Sequence, residues 1–135
     1  MDGETGAFAA VLDGTYVTAL RTGASAGAAF DLFAHKDASI GALIGTGGQA
    51  QAQLEAMICS RNLKEVRVFS RREEKRIAFA KRMNDVYGSD SLCIIPVPSA
   101  DEAVTGADVI AAAKPWTTPP FNPSFRRRPL LREIA

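Results

Sequence analysis

Six residues, Gly45-Thr46-Gly47-Gly48-Gln49-Ala50, constrain the fold of this chain more than any other feature of it. They follow Ser39 to Ile44, a short apolar run whose length and small residues predict a buried parallel strand. They run into Gln49 to Ser60, where Ala52, Leu54, Ala56, Met57 and Ile58 give a helix its apolar content. The pattern is G-x-G-x-x-A, and each small residue has a steric reason. Gly45 lets the chain turn sharply out of the strand, Gly47 lets a pyrophosphate approach the backbone, and Ala50 lets helix and strand pack closely. The helix start then offers unpaired N–H groups and the positive end of its dipole to phosphates. A second strand, Glu65 to Phe69, alternates and carries β-branched residues, which completes the β-α-β context the motif requires. The expectation is a dinucleotide held on the loop from Gly45 to Ala50. The competing reading is a glycine-rich turn without a ligand.

The end of the second strand selects the dinucleotide. An NAD-specific site has Asp or Glu there, accepting hydrogen bonds from the adenosine ribose hydroxyls. Here stand Ser70, Arg71 and Arg72, while Glu65 lies at the strand's start. A carboxylate would repel a 2′-phosphate, whereas Ser-Arg-Arg binds one through charge-assisted hydrogen bonds. NADP(H) is therefore favoured, with NAD(H) the alternative. Without a ligand, these arginines would line a solvated helix start.

The chain divides into three parts. Residues 1–38 are expected to hold a strand at Ala7 to Leu12, a turn at Asp13-Gly14, and a connecting helix at Thr18 to Ala34. Gly23 and Gly27 lower that helix's propensity, and their four-residue spacing puts both on one face, as close packing against another backbone would need. Residues 39–113 form the expected nucleotide-binding domain. Within it, Ser70 to Glu73 reads as a capping box opening a helix to Val86 or Tyr87, which Gly88 ends. Cys93 to Val97 is a strand closed by Pro98. Ser99 to Glu102 is a second capping box, on a short helix to Thr105, and Ala107 to Ala113 is a final strand. Residues 114–135 carry Pro115, Pro119, Pro120, Pro123 and Pro129 together with Arg126, Arg127 and Arg128, and are expected to be an irregular tail. The alternation of strands and helices predicts an α/β fold, a Rossmann-type parallel sheet with flanking helices.

Composition excludes several function classes. The 135 residues are 47% hydrophobic and 23% charged, values of a single globular domain. A net charge of +1 argues against nucleic acid or an anionic membrane as a main partner, and three arginines in a proline-rich tail do not alter that. No apolar run approaches the roughly 20 residues that span a bilayer. The polar, acidic start does not resemble a signal peptide, so the expected compartment is the cytoplasm. Cys59 and Cys93 sit in apolar contexts and are expected to be reduced and buried. No metal-ligand spacing exists. His35, the only histidine, follows a helix and is expected to cap it rather than act as a base.

Two stretches go beyond a generic fold. Leu12 to Ala24 resembles the "DGTYLTALRTGA" segment of the ornithine cyclodeaminase/mu-crystallin family, and Ile44 to Ala56 resembles that family's "GTGVQARTQLEA" segment. They occur in the family's order and spacing, and the resemblance runs from about Asp2 to Ile110. It implies NAD(P)-dependent hydride transfer on amino acids or imines: ornithine to proline plus ammonia, or ketimine reduction. It implies that Arg21 binds the substrate carboxylate, which suits a bidentate guanidinium, and that Thr22, Gly48 and Gln49 lie at the cofactor. Family members are much longer. The preceding domain and the later part of the dinucleotide domain, with a strand-end Asp, have no counterpart here, so the fold is expected to be incomplete relative to the family. The isolated chain is then expected to hold no catalytic residue of its own. The alternatives are a non-catalytic dinucleotide-binding module or a truncated product without ligand, and a homodimer or edge-strand association is an expected partner.

Overall fold

The computed structural model describes residues 1–113. The expected tail, 114–135, lies outside the described residues. Helix α1 (Gly14–Phe33) is followed by strand β1 (Ile40–Ile44), helix α2 (Ala50–Ser60), strand β2 (Glu65–Phe69) and helix α3 (Glu73–Tyr87). Strand β3 (Cys93–Pro96), helix α4 (Ala100–Val104) and strand β4 (Val109–Ala112) complete the order. The four strands form one parallel sheet in the order β3-β2-β1-β4. This is the α/β architecture the sequence predicts.

Alternation along β1 sorts its side chains to two faces, as a strand's period of two requires. Leu43 joins Leu54 and Met57 of α2 and Phe79, Ala80 and Met83 of α3 in the larger core. Ala42 and Ile44 face the other way, onto Val97 and onto Ala103 and Val104 of α4. Helices thus cover both faces, which is why β1 lacks a polar side. On β2, Val66 and Val68 enter the larger core, while Arg67 reaches the Glu65 carboxylate and the Thr105 carbonyl beyond α4.

Helix α1 lies outside α2 rather than on the sheet. Gly23 is its buried residue, and a Cβ there would stand 2.7 Å from the Ala52 carbonyl oxygen. The expected close packing is present at Gly23 and not at Gly27, where a Cβ would find ordinary packing distances. One buried arginine locks this layer: Arg61, 6% exposed, donates to the carbonyls of Asp31, Ala34, His35 and Ser60 and to the Asp31 carboxylate. These carbonyls include those left open at the end of α1, where no intrahelical donor remains. The Arg61 guanidinium first, then Lys36, hold the Asp31 carboxyl below its usual range.

Several expectations are corrected. Ala7 to Leu12 is exposed, irregular chain and not a strand, because no strand among the described residues pairs with it. Asp13 is not a turn residue but the N-cap of α1, its carboxylate accepting from the Thr15 N–H, so the helix starts at Gly14 rather than Thr18. The Ser70 capping box does not form. Helix α3 starts behind Arg72 with no side-chain cap, and Glu73 pairs with Arg76 instead of reaching back. Of the Ser99 box one half forms: the Ser99 hydroxyl caps α4, accepting from the Glu102 N–H, while the Glu102 carboxylate takes no return bond from the Ser99 N–H among the described residues. Cys59 and Cys93 are free but exposed, since each sits on the outward side of its element. Ala34, not His35, is the C-cap of α1; the His35 carbonyl receives Arg61 and the Ala38 N–H.

Candidate functional site

The register of the sheet builds the site. Ile44 pairs with Phe69 on one side and with Ala112 on the other, so β1, β2 and β4 end side by side. The chain leaves β1 between two strands that follow it in opposite directions across the sheet. That is the point at which open α/β sheets place a ligand crevice, outside the strands' carboxyl ends.

Gly45 makes the exit. Its φ is +108°, a region that side-chain-bearing residues rarely adopt, and its N–H donates to the Phe69 carbonyl at 2.7 Å. A Cβ on Gly47 would meet nothing nearer than the Ala113 carbonyl, at 3.8 Å, and one on Gly48 would meet nothing within 4 Å. The loop therefore borders open space that a side chain would occupy. Helix α2 follows with Gln49 at its N-cap, no side-chain cap bond and no acidic residue in its first turn. Its start is left available to an anion. The side-chain oxygen of Gln49 is buried without a hydrogen-bond partner among the described residues.

A cleft of about 450 Å³ opens here, lined by Gly45, Thr46 and Gly47 from the loop and by Phe69, Ser70, Arg71, Arg72 and Lys75 across from it. The structure thus brings together most of the residues that the sequence nominates. Lys75 was missed, although its place three residues after Arg72 on a helix start is a legible signal. Gly48 and Gln49 belong to the same loop but do not line the cleft, and neither do Arg21 and Thr22. Those two lie on α1, where the Thr22 hydroxyl donates to the Thr18 carbonyl and the Thr22 carbonyl accepts from the Gln53 side chain at 3.3 Å. That bond, with the contact of Gly23 on Ala52, packs the two motif segments on each other one turn beyond the loop.

At the opposite end of the sheet, Asp108 accepts from the N–H groups of Ser39 and Ile40 at 2.8 and 2.9 Å. These bonds hold its carboxyl below the ordinary range, the Ser39 bond most strongly. Its role is to tie β4 to β1, far from the cleft. No cluster of metal-ligating side chains occurs among the described residues, and no helix among them is long and apolar enough to cross a membrane.

A sequence profile of the ornithine cyclodeaminase/mu-crystallin family matches residues 1–123. The chain belongs to that family. Among its relatives, a Delta(1)-pyrroline-2-carboxylate reductase of Bacillus cereus is 34% identical over 126 residues, 93% of this chain and 38% of the relative. Two solved family structures superpose closely. One is the Thermococcus litoralis Delta(1)-pyrroline-2-carboxylate reductase in complex with NADH and L-proline, with a TM-score of 0.77 and 37% identity over 82% of this chain and 33% of that one. The other is an archaeal alanine dehydrogenase dimer with bound NAD, with a TM-score of 0.71 and 36% identity over 82% of this chain and 32% of that one. The chain thus spans a little over a third of the curated relative's length.

Proposed function

We propose that the cleft between the Gly45–Ala50 loop and the end of β2 binds a nicotinamide dinucleotide, NADP(H) in preference to NAD(H). We further propose that the chain is the dinucleotide-binding portion of a protein that transfers hydride between this cofactor and an amino acid or its imine. The observation that carries the reading is the union of two features in one cleft. A glycine loop borders open space at an uncapped helix start, and Ser70, Arg71 and Arg72 stand across from it. Backbone N–H groups and a helix dipole suit a pyrophosphate. Guanidiniums without carboxylate partners suit a further phosphate.

The neighbours' ligands, NADH with L-proline in one and NAD in the other, support the dinucleotide and the amino-acid class. The preference for NADP(H) rests on this chain's own cations. Bound here, the nicotinamide would supply a hydride acceptor or donor for an amino acid's α-carbon. Arg21 is the chain's candidate for the substrate carboxylate, carried by the "LRTGA" resemblance and by its place on the helix tied to α2. One guanidinium alone leaves a substrate free to swing, and hydride transfer needs a fixed pose.

Gly47→Val tests the proposal. The fold should tolerate it, since the side chain points into open space, and circular dichroism should be unchanged. NADPH affinity should fall by more than about tenfold, the equivalent of about 1.4 kcal/mol. A folded variant with parental affinity would remove the loop from the ligand's path and overturn the assignment.

A further inference from the structure

We propose that the groove between α1 and α2 is the docking site of the chain's own C-terminal segment, residues 114–135, with the Arg126-Arg127-Arg128 cluster set against the groove's acids. The docking does not depend on what the cleft at the Gly45–Ala50 loop binds.

Helix α1 carries only two charged residues, Arg21 and Asp31, in its 20 residues. That is the composition of a helix covered on more than one side. Among the described residues it packs chiefly on α2, and this leaves Leu20 58% exposed. Beside the contact runs a groove of about 540 Å³. Leu20 and Ala24 of α1 and Ala52 and Ala56 of α2 give it an apolar lining. Its charged side chains are Asp31 and Glu55, and no cation lines it. Asp31 already holds Lys36 and Arg61, whereas Glu55 makes no ion pair among the described residues.

Charge selects the occupant. Residues 114–135 carry five cations, Lys114, Arg126, Arg127, Arg128 and Arg132, against one acid, Glu133. The segment is thus +4 in a chain of net +1, which leaves residues 1–113 at −3. It departs from Ala113, whose carbonyl lies beside Gly47, so two concavities are at hand. The cleft is lined by Arg71, Arg72 and Lys75 without a carboxylate, and it repels such a segment. The groove attracts it.

Reach and side-chain chemistry agree with charge. The groove starts near the contact of Gly23 on Ala52, in the first turn of α2 after the loop. From Leu20 to Asp31 it follows about 16 Å of helix, at 1.5 Å per residue. The chain from Ala113 to Phe125 spans about 40 Å when extended, which covers that length. Trp116, Phe121 and Phe125 supply aromatic anchors for an apolar lining. Pro115, Pro119, Pro120 and Pro123 fix φ and so reduce the entropy lost on docking.

Cys59 lines the groove and is exposed, so its thiol reports the occupant, and Cys93, exposed on β3, is the internal control. The test is alkylation of the full chain by iodoacetamide, a neutral reagent, followed at each cysteine by mass spectrometry. One variant combines Arg126→Glu, Arg127→Glu and Arg128→Glu; a second combines Phe121→Ser and Phe125→Ser; circular dichroism checks each fold. Each variant should alkylate Cys59 about tenfold faster than the parent does, as a covering segment is released, and leave the Cys93 rate unchanged. The parent's Cys59 rate should not vary with protein concentration. An unchanged Cys59 rate in either folded variant overturns the proposal, as does equal acceleration of both cysteines. A parental Cys59 rate that falls as protein concentration rises assigns the groove to a second copy and overturns it too.

Discussion

The contact between α1 and α2 predicts opposite outcomes for two chemically identical substitutions. A Cβ on Gly23 would stand 2.7 Å from the Ala52 carbonyl oxygen and 3.0 Å from the Ala52 Cβ. The obstacle is helical backbone, which cannot rotate away, so the helices must separate. A Cβ on Gly27 would meet the Ser60 hydroxyl at 3.5 Å and the Ala56 Cβ at 3.6 Å, ordinary packing distances. Replacing a helical Gly by Ala gains about 1 kcal/mol of propensity, and overpacking costs about 1 to 3 kcal/mol. For Gly23→Ala the clash with backbone puts the cost at the upper end, a net loss of about 1 to 2 kcal/mol. Separation would also stretch the Gln53 to Thr22 hydrogen bond. Gly27→Ala keeps the propensity gain and should stabilise by about 0.5 to 1 kcal/mol. Urea unfolding followed by circular dichroism reads both, as midpoint shifts of opposite sign at constant slope. A Gly23→Ala variant at or above parental stability would refute the close-packing argument, as would equal shifts in the two variants.

Two further outcomes follow from the hydrogen-bond geometry. Arg61→Ala should destabilise by about 2 to 4 kcal/mol, because it strips the donors from the end of α1 and empties a buried position; urea midpoints check it, and a loss below about 0.5 kcal/mol, the size of a neutral surface change, would contradict it. Asp108 has its carboxyl pKa depressed below 3.8, so its contribution to stability is full above that pH and fades as pH falls through the lowered value. Asp108→Asn should therefore lose stability near neutrality and show a flatter decline in acid than the parent; parallel acid profiles would sink that account.

Legibility in the sequence followed how local each cause was. Elements from Ser39 to Ala113 were readable because apolar runs, glycines and β-branched residues act within a few positions. The geometry of the Gly45–Ala50 loop was readable because its sterics are encoded one residue at a time. The Ser70 and Ser99 boxes look alike in sequence, yet only Ser99 caps its helix. Arg76 decides the first by taking both Glu73 and the Ser70 carbonyl, a competition that a four-residue pattern does not contain. Ala7 to Leu12 has strand composition but no partner strand among the described residues, and pairing is a tertiary fact. Arg61 looks like a solvated loop residue, and its burial depends on α1 folding across it. Cys59 and Cys93 show that an apolar neighbourhood in sequence does not fix which face a residue takes. Arg21 was nominated by resemblance alone, and it lies on a different element from the cleft lining.

The central claim is that this cleft holds a dinucleotide and prefers the one with the additional phosphate. Equilibrium titration of the unaltered chain with NADPH and with NADH, followed by nicotinamide fluorescence at fixed ionic strength, tests it most directly. The account predicts saturable binding of both, with NADPH tighter by about tenfold or more, the equivalent of one charge-assisted hydrogen bond. Equal affinities would contradict the reading of Ser70, Arg71 and Arg72, and no binding of either would contradict the reading of the loop itself.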